Sequence, residues 1–121
     1  MSAEDDEKLF KKERRSMVED QIESRGVKGK ALLTALKKIP RHLFVPADFR
    51  EYAYSDQALP FYCGQTISQP YIVAIMTEML SLDKSSKVLE IGTGTGYQTT
   101  ILAELANEVY TMEIIPELHD I

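Results

Sequence analysis

The stretch Val88-Leu89-Glu90-Ile91-Gly92-Thr93-Gly94-Thr95-Gly96-Tyr97 decides the fold. Val88 to Ile91 has the length and apolar content of a short buried strand, and three alternating glycines then break it into a turn. Tyr97, Ile101, Leu102, Leu105 and Ala106 follow at helical spacing, which predicts a helix with those side chains inward. Asn107 stops that helix, and Glu108 to Ile114 reads as a second strand. Strands joined through a helix pair in parallel, because a tight hairpin can join only antiparallel neighbours. The fold class is therefore α/β, with the glycines at the C-terminal end of the first strand, where open α/β sheets bind ligands.

The glycines are spaced GxGxG. A dinucleotide fingerprint needs GxGxxG, and Tyr97 occupies its last glycine position; a phosphate-binding loop would need a Gly-Lys-Ser/Thr ending, which is absent. Glycine lets the chain turn sharply and lets a ligand approach the backbone, so Gly92, Thr93 and Gly94 are candidate cofactor contacts. Glu113 ends the second strand, 19 residues beyond Gly94. An acid at that distance is suited to accept hydrogen bonds from ribose hydroxyls. A purely structural glycine turn is the alternative.

Upstream the pattern is helical. Residues from about 5 to 25 form a helix with Met17, Val18, Gln21, Ile22 and Arg25 in register, and Gly26 supplies a left-handed end. A second helix runs from about Lys30 to Ile39, with Leu32, Leu33, Leu36 and Ile39 on one face, and Pro40 stops it. A Pro-bounded block, Pro40 to Pro46, leads into a short aromatic helix or turn through Phe49, Tyr52 and Tyr54. Residues Leu59 to Ser68 read as loop and short extended pieces. Pro70 opens a third helix, because its missing N–H and fixed φ suit the first turn. Ile72, Val73, Met76, Met79 and Leu80 form its expected apolar stripe, with Met76 and Met79 read as core. The organisation is a helical N-terminal region, 1–58, followed by a loop and a first β-α-β unit, 59–121. Two parallel strands leave wide apolar faces, so the sheet is expected to be incomplete in this chain.

With 121 residues, 44% hydrophobic and 27% charged, the sequence has the composition of an ordinary globular domain. Its apolar runs are short, and the acidic start is unlike a secretory signal. The net charge is −5, and after Lys87 there is no Lys or Arg, while six acids follow. The eight bases among residues 1–30 are interleaved with eight acids, a pattern of a solvated helix face. This argues against a nucleic-acid reader, which needs an unopposed basic patch. The single cysteine, Cys63, suits a reducing cytoplasm and reads as a small buried hydrophobe. His42 reads as a packing or surface residue, and no cluster has metal-ligand spacing.

Strand, GxGxG, helix, strand and terminal acid together resemble the cofactor half of class I methyltransferases. That resemblance implies S-adenosyl-L-methionine as cofactor and S-adenosyl-L-homocysteine as product. It also implies that Glu90 faces the cofactor's methionine end, whose ammonium group a carboxylate would suit. Gly64-Gln65-Thr66-Ile67-Ser68-Gln69-Pro70-Tyr71 is more distinctive still. It resembles the signature of the protein-L-isoaspartate O-methyltransferase family. The blocks Arg25-Gly26-Val27, Pro40 to Pro46, Ala53-Tyr54-Ser55-Asp56 and Val88 to Gly94 resemble that family's usual blocks, in the usual order.

The resemblance implies the N-terminal part of a Rossmann-like, doubly wound methyltransferase fold and methyl transfer to the free carboxylate of L-isoaspartyl residues in damaged proteins. It gives Ser68 the role of holding that carboxylate and places Thr66 and Ile67 against cofactor and substrate. Ser68 as a simple cap of the helix opened by Pro70 is the structural alternative. Two departures stand out: Leu59-Pro60-Phe61-Tyr62-Cys63 is bulkier than usual before the signature, and Ile114 replaces an Arg common after the ribose-binding acid. The family continues through further strands, so the chain reads as a first half. Its partners are isoaspartyl proteins and peptides, and an open sheet edge would allow self-association. Rival readings are a class I methyltransferase for another carboxylate or small molecule, and a chain inactive without a C-terminal half.

Overall fold

A computed structural model describes residues 2–120. Helix α1, Ala3–Ser16, is opened by a capping box: the Asp5 N–H donates to Ser2 Oγ at 3.2 Å, and the Asp5 carboxylate accepts from the Ser2 hydroxyl and N–H. Acids in its first turn and Arg14 and Arg15 in its last complement the helix dipole. The helix then widens into a π turn, Met17–Ile22, before a short 3₁₀ segment, Glu23–Arg25, ends at Gly26 with φ 100°. The wider turn brings Met17 and Ile22, five residues apart, onto the same buried face as Val18.

Helix α2, Lys30–Lys38, buries Leu32, Leu33, Ala35 and Leu36, and stops where Ile39 turns extended before Pro40. The Pro-bounded block becomes a 3₁₀ turn, Arg41–Phe44, and the aromatic segment another, Ala47–Tyr52. Two short strands, β1 (Leu59–Pro60) and β2 (Thr66–Ile67), pair antiparallel around Tyr62–Gly64. Helix α3, Pro70–Met79, starts with proline in its first turn.

Strands β3 (Lys87–Ile91) and β4 (Glu108–Met112) are parallel, with Lys87 opposite Glu108 and Ile91 opposite Met112, and helix α4 (Tyr97–Leu105) connects them. This is the strand–helix–strand unit expected from the glycine turn. One hydrophobic core draws on both regions of the chain: Val18, Ile22 and Leu36 from the first meet Val73, Ala74, Tyr97 and Ile101 from the second.

Three expectations are corrected. Helix α3 buries Pro70, Val73, Ala74 and Thr77, whereas Met76, Met79 and Leu80 are 60%, 76% and 55% exposed. The helix is apolar nearly all round, so periodicity alone does not choose its inner face. Strand β3 is less buried than its apolar content suggests: Leu89 and Ile91, with Tyr110 and Met112 of β4, lie exposed on one side of the pair, the open face expected of two strands alone. Side chains alternate along a strand, and only the Val88 and Glu90 face is half-covered. Cys63 is exposed rather than buried, in a left-handed conformation with φ 58°.

Candidate functional site

The C-terminal ends of β3 and α3's first turn face a cleft of about 380 Å³. Seven of the candidate residues line it: Thr66, Ile67, Ser68, Glu90, Gly92, Thr93 and Gly94. The eighth, Glu113, joins the same wall through a hydrogen bond to Gly94. Residues separated by more than 20 positions in sequence thus meet at one opening, the sheet end on one side and the signature segment on the other.

The glycine turn is held from below. The N–H groups of Gly92 and Thr93 both donate to the Met112 carbonyl, at 2.7 and 3.1 Å, tying the turn to the end of β4. Gly92 and Gly94 have φ of 92° and 53°, the left-handed region that favours glycine, and a Cβ at either would meet no protein atom within 4 Å. The backbone there is bare and approachable, which is what close contact with a bound molecule requires.

Two carboxylates flank the turn. Glu113 Oε1 accepts from the Gly94 N–H at 2.7 Å and Oε2 from the Ile115 N–H at 3.1 Å. These donors hold its carboxyl below the usual carboxylate range, so it is ionised at neutral pH. Glu90 Oε1 accepts from the Thr99 hydroxyl and from the Thr111 hydroxyl, the latter at 2.7 Å. Thr111 is also 2.6 Å from the Thr93 hydroxyl. Thr111 sits opposite Glu90 in the parallel register, which is why the two side chains meet.

On the signature side, Ile67 is buried as an anchor while Thr66 and Ser68 are exposed at the cleft. The residue that caps α3 is Gln69, and no side chain makes the capping bond. Ser68 therefore does not serve as the cap. Its carbonyl accepts from Arg41 Nη2 at 2.8 Å. Gln69 donates to Asp56 Oδ1 at 2.7 Å, and Arg25 forms an ion pair with the same carboxylate. The Arg25 guanidinium lies 5.4 Å from the Tyr71 ring centroid. The hydrogen bonds from Arg25 and then Gln69 pull the Asp56 pKa from 3.8 down to about 2. Three sequence blocks far apart in the chain are thereby tied to the signature.

Sequence reasoning passed over Met76, Gln98, Thr99, Thr111 and Arg41. Met76 and Gln98 line the cleft. Thr99 and Thr111 hold Glu90; pairing the two strands in register would have revealed Thr111 in advance. His42 is buried, stacked on Phe10 at 4.0 Å and 2.9 Å from the Tyr54 hydroxyl, a packing role away from the cleft. Among the described residues, no helix is long and apolar enough to cross a membrane.

Known proteins resemble this chain over most of its length. The family described as Protein-L-isoaspartate(D-aspartate) O-methyltransferase (PCMT) matches residues 12–121. A protein-L-isoaspartate O-methyltransferase of Picosynechococcus sp. is 60% identical over 105 residues, covering 87% of this chain and 47% of its own length. That of Dictyoglomus turgidum is 56% identical over 111 residues, covering 92% of this chain and 50% of its own. The chain spans about half the length of the curated relatives it matches. A solved protein-L-isoaspartate O-methyltransferase superposes with a TM-score of 0.76 at 28% identity, over 88% of this chain and 36% of its own. A second, a putative enzyme of this kind from Plasmodium falciparum in complex with S-adenosyl-L-homocysteine, gives 0.74 at 24% identity, covering 88% and 51%. The second likeness concerns the fold.

Proposed function

The chain belongs to the protein-L-isoaspartate O-methyltransferase family, and from that membership we propose that it serves methyl transfer from S-adenosyl-L-methionine to the free carboxylate of L-isoaspartyl residues in damaged proteins. The observation that carries the reading is the single cleft in which Ser68, Thr66 and Ile67 face Glu90 and the glycine turn.

The residues present fit such a cofactor. The cleft's volume lies within the roughly 300–1,000 Å³ usual for small-molecule sites. The bare backbone at Gly92 and Gly94 admits close approach, Glu113 is fixed and ionised beside it as a ribose acceptor, and Glu90 offers a carboxylate to an ammonium group. The cofactor would supply a methyl group on a sulfonium, already a good leaving group.

The chain's own part is then alignment. An isoaspartyl carboxylate has a pKa of about 4, so it is a nucleophile at neutral pH without a general base. With the methyl donor bound, the O–CH₃ bond would form on that oxygen as the S–CH₃ bonding pair passed to sulfur, so no residue of this chain would need to accept a proton. Ser68, exposed at the cleft, holds that carboxylate in line through its hydroxyl, with Thr66 and Ile67 beside it. Fixing two reactants in attack geometry and excluding water is the principal gain open to such a site. The methyl ester then closes to a succinimide with loss of methanol, and hydrolysis returns part of it to normal Asp. We assign this repair to the cytoplasm, which suits a lone exposed thiol.

The test is transfer of labelled methyl from S-adenosyl-L-methionine to an isoaspartyl peptide, with the aspartyl isomer as control. Label on the isoaspartyl peptide alone is the expected result. Equal label on both peptides, or on neither while small carboxylates are methylated, would overturn it.

A further inference from the structure

Arg41 is among the largest fully buried side chains in the protein, at 0% exposure. Burial lowers its pKa, and the compensating attractions come from tyrosines rather than a carboxylate. Keeping an unpaired guanidinium in a core is costly, and an apolar side chain of similar volume would fill the same space at less expense. What an apolar residue could not do is hydrogen bond. Arg41 Nε donates to the Ala53 carbonyl at 2.7 Å and Nη2 to the Ser68 carbonyl at 2.8 Å. Its guanidinium carbon lies 4.9 Å from the centroid of the Tyr97 ring, and Phe44 meets that ring edge-on at 5.6 Å. Tyr97 is 1% exposed and opens α4 directly after the glycine turn.

One rigid planar group therefore touches both walls of the cleft: the segment that carries Ser68, and the residue that follows the glycines. A guanidinium has donors in a fixed fork, so satisfying Ala53 and Ser68 together sets the position of each relative to the other. Nη1 and the Tyr97 hydroxyl remain buried without a well-formed hydrogen bond, and their mutual attraction offsets only part of the burial. That residual cost is tolerated at a position where geometry rather than stability is served.

We propose that Arg41 is a positioning residue, fixing the Ser68 segment relative to the glycine turn so that the Ser68 hydroxyl presents the substrate carboxylate in line with the methyl donor. This rests on the reading that Ser68 receives the isoaspartyl carboxylate, and the experiment separates the two. In the intact protein, R41M, R41K, S68A and the double variant R41M/S68A are compared. Amide hydrogen exchange over residues 66–69 reads the tether without any turnover. It is expected to quicken about tenfold in R41M while α1 stays protected, and to lie between parent and R41M in R41K, whose ammonium can reach only one carbonyl well. Transfer to the isoaspartyl peptide is expected to lose about a hundredfold in kcat/KM in R41M, the scale of a small misplacement of reacting groups. The Kd for S-adenosyl-L-homocysteine should stay within about twofold, and on the S68A background R41M should cost little more.

Unchanged exchange at 66–69 in both Arg41 variants overturns the tether. A loss in R41M that persists in full on the S68A background overturns action through Ser68. Loss of cofactor affinity together with thermal stability would mark a merely structural role. If S68A transfers methyl as fast as the parent, the Ser68 reading itself fails, whatever the exchange shows. Should R41M not fold, R41K carries the exchange and kinetic comparison.

Discussion

The backbone N–H of Gly94 donates to Glu113 Oε1 at 2.7 Å, joining the middle of the glycine turn to the residue that follows β4. With Ile115 N–H on the other oxygen, the carboxylate is oriented by main chain alone before anything binds. Removing its charge should therefore be felt at the ligand. Glu113→Gln is expected to weaken S-adenosyl-L-homocysteine binding roughly 10- to 100-fold, the range for losing a charged hydrogen-bond acceptor. Isothermal titration at pH 7 measures this, and a change under about twofold would remove Glu113 from the site. Because the folded carboxyl titrates below 4.5, its contribution should hold as pH falls from neutral and fade only below that value.

Gly94→Ala separates folding from binding. The added carbon meets no protein atom within 4 Å, so the cost to the fold is the left-handed φ of 53°, about 1 kcal/mol. Urea melts should show that small loss, while ligand affinity falls more than about tenfold because the bare backbone is what a ligand approaches. Equal losses in both measurements would mean that the turn is a structural device only.

Asp56 should titrate far from its ordinary value. Carboxyl-carbon NMR is expected to give about 2 in the parent and a value moving back toward 3.8 in Arg25→Met. The sign follows from linkage: a depressed carboxylate stabilises the fold above its unfolded pKa, and that stabilisation is lost as pH falls through the folded one. The relevant window runs from 3.8 to about 2. A midpoint near 3.8 in both proteins would break the Arg25–Asp56–Gln69 link.

The inner face of α3 can be checked against the core. Ile101→Ala, in α4 at 0% exposure, is the core reference and should lose about 2–5 kcal/mol. Met79→Ala, at 76% exposure, should stay within about 0.5 kcal/mol of the parent. Comparable losses would restore Met79 to the core.

Much of the site was legible because its chemistry is written in local residue types. Gly92 and Gly94 announce a turn no other residue adopts cheaply, Pro70 announces a helix start, and both appear where expected. The parallel pairing followed from the helix between the strands. What stayed hidden depends on partners distant in sequence. Nothing around Arg41 says that its guanidinium is buried, since its acceptors are main-chain carbonyls 12 and 27 residues away. Leu89, Ile91, Tyr110 and Met112 look like core by composition, yet which face of a strand pair is covered is decided by the layers packed on it. The π turn at Met17–Ile22 likewise leaves no period of its own in so short a segment.

The in-register pairing of β3 and β4 also bears on how such a sequence can vary over time. Glu90 stands level with Thr111, and Ile91 with Met112, so the glycine turn and Glu113 leave the sheet at the same height. Inserting or deleting one residue inside either strand would turn every later side chain to the opposite face, parting Glu90 from Thr111 and Gly94 from Glu113. The turn at 83–86 lies outside the paired stretch, although its last carbonyl, Ser86, accepts from the Asn107 and Glu108 N–H groups and so ties it to the start of β4. Length changes accumulating in descendants of this sequence should thus spare 87–94 and 108–113.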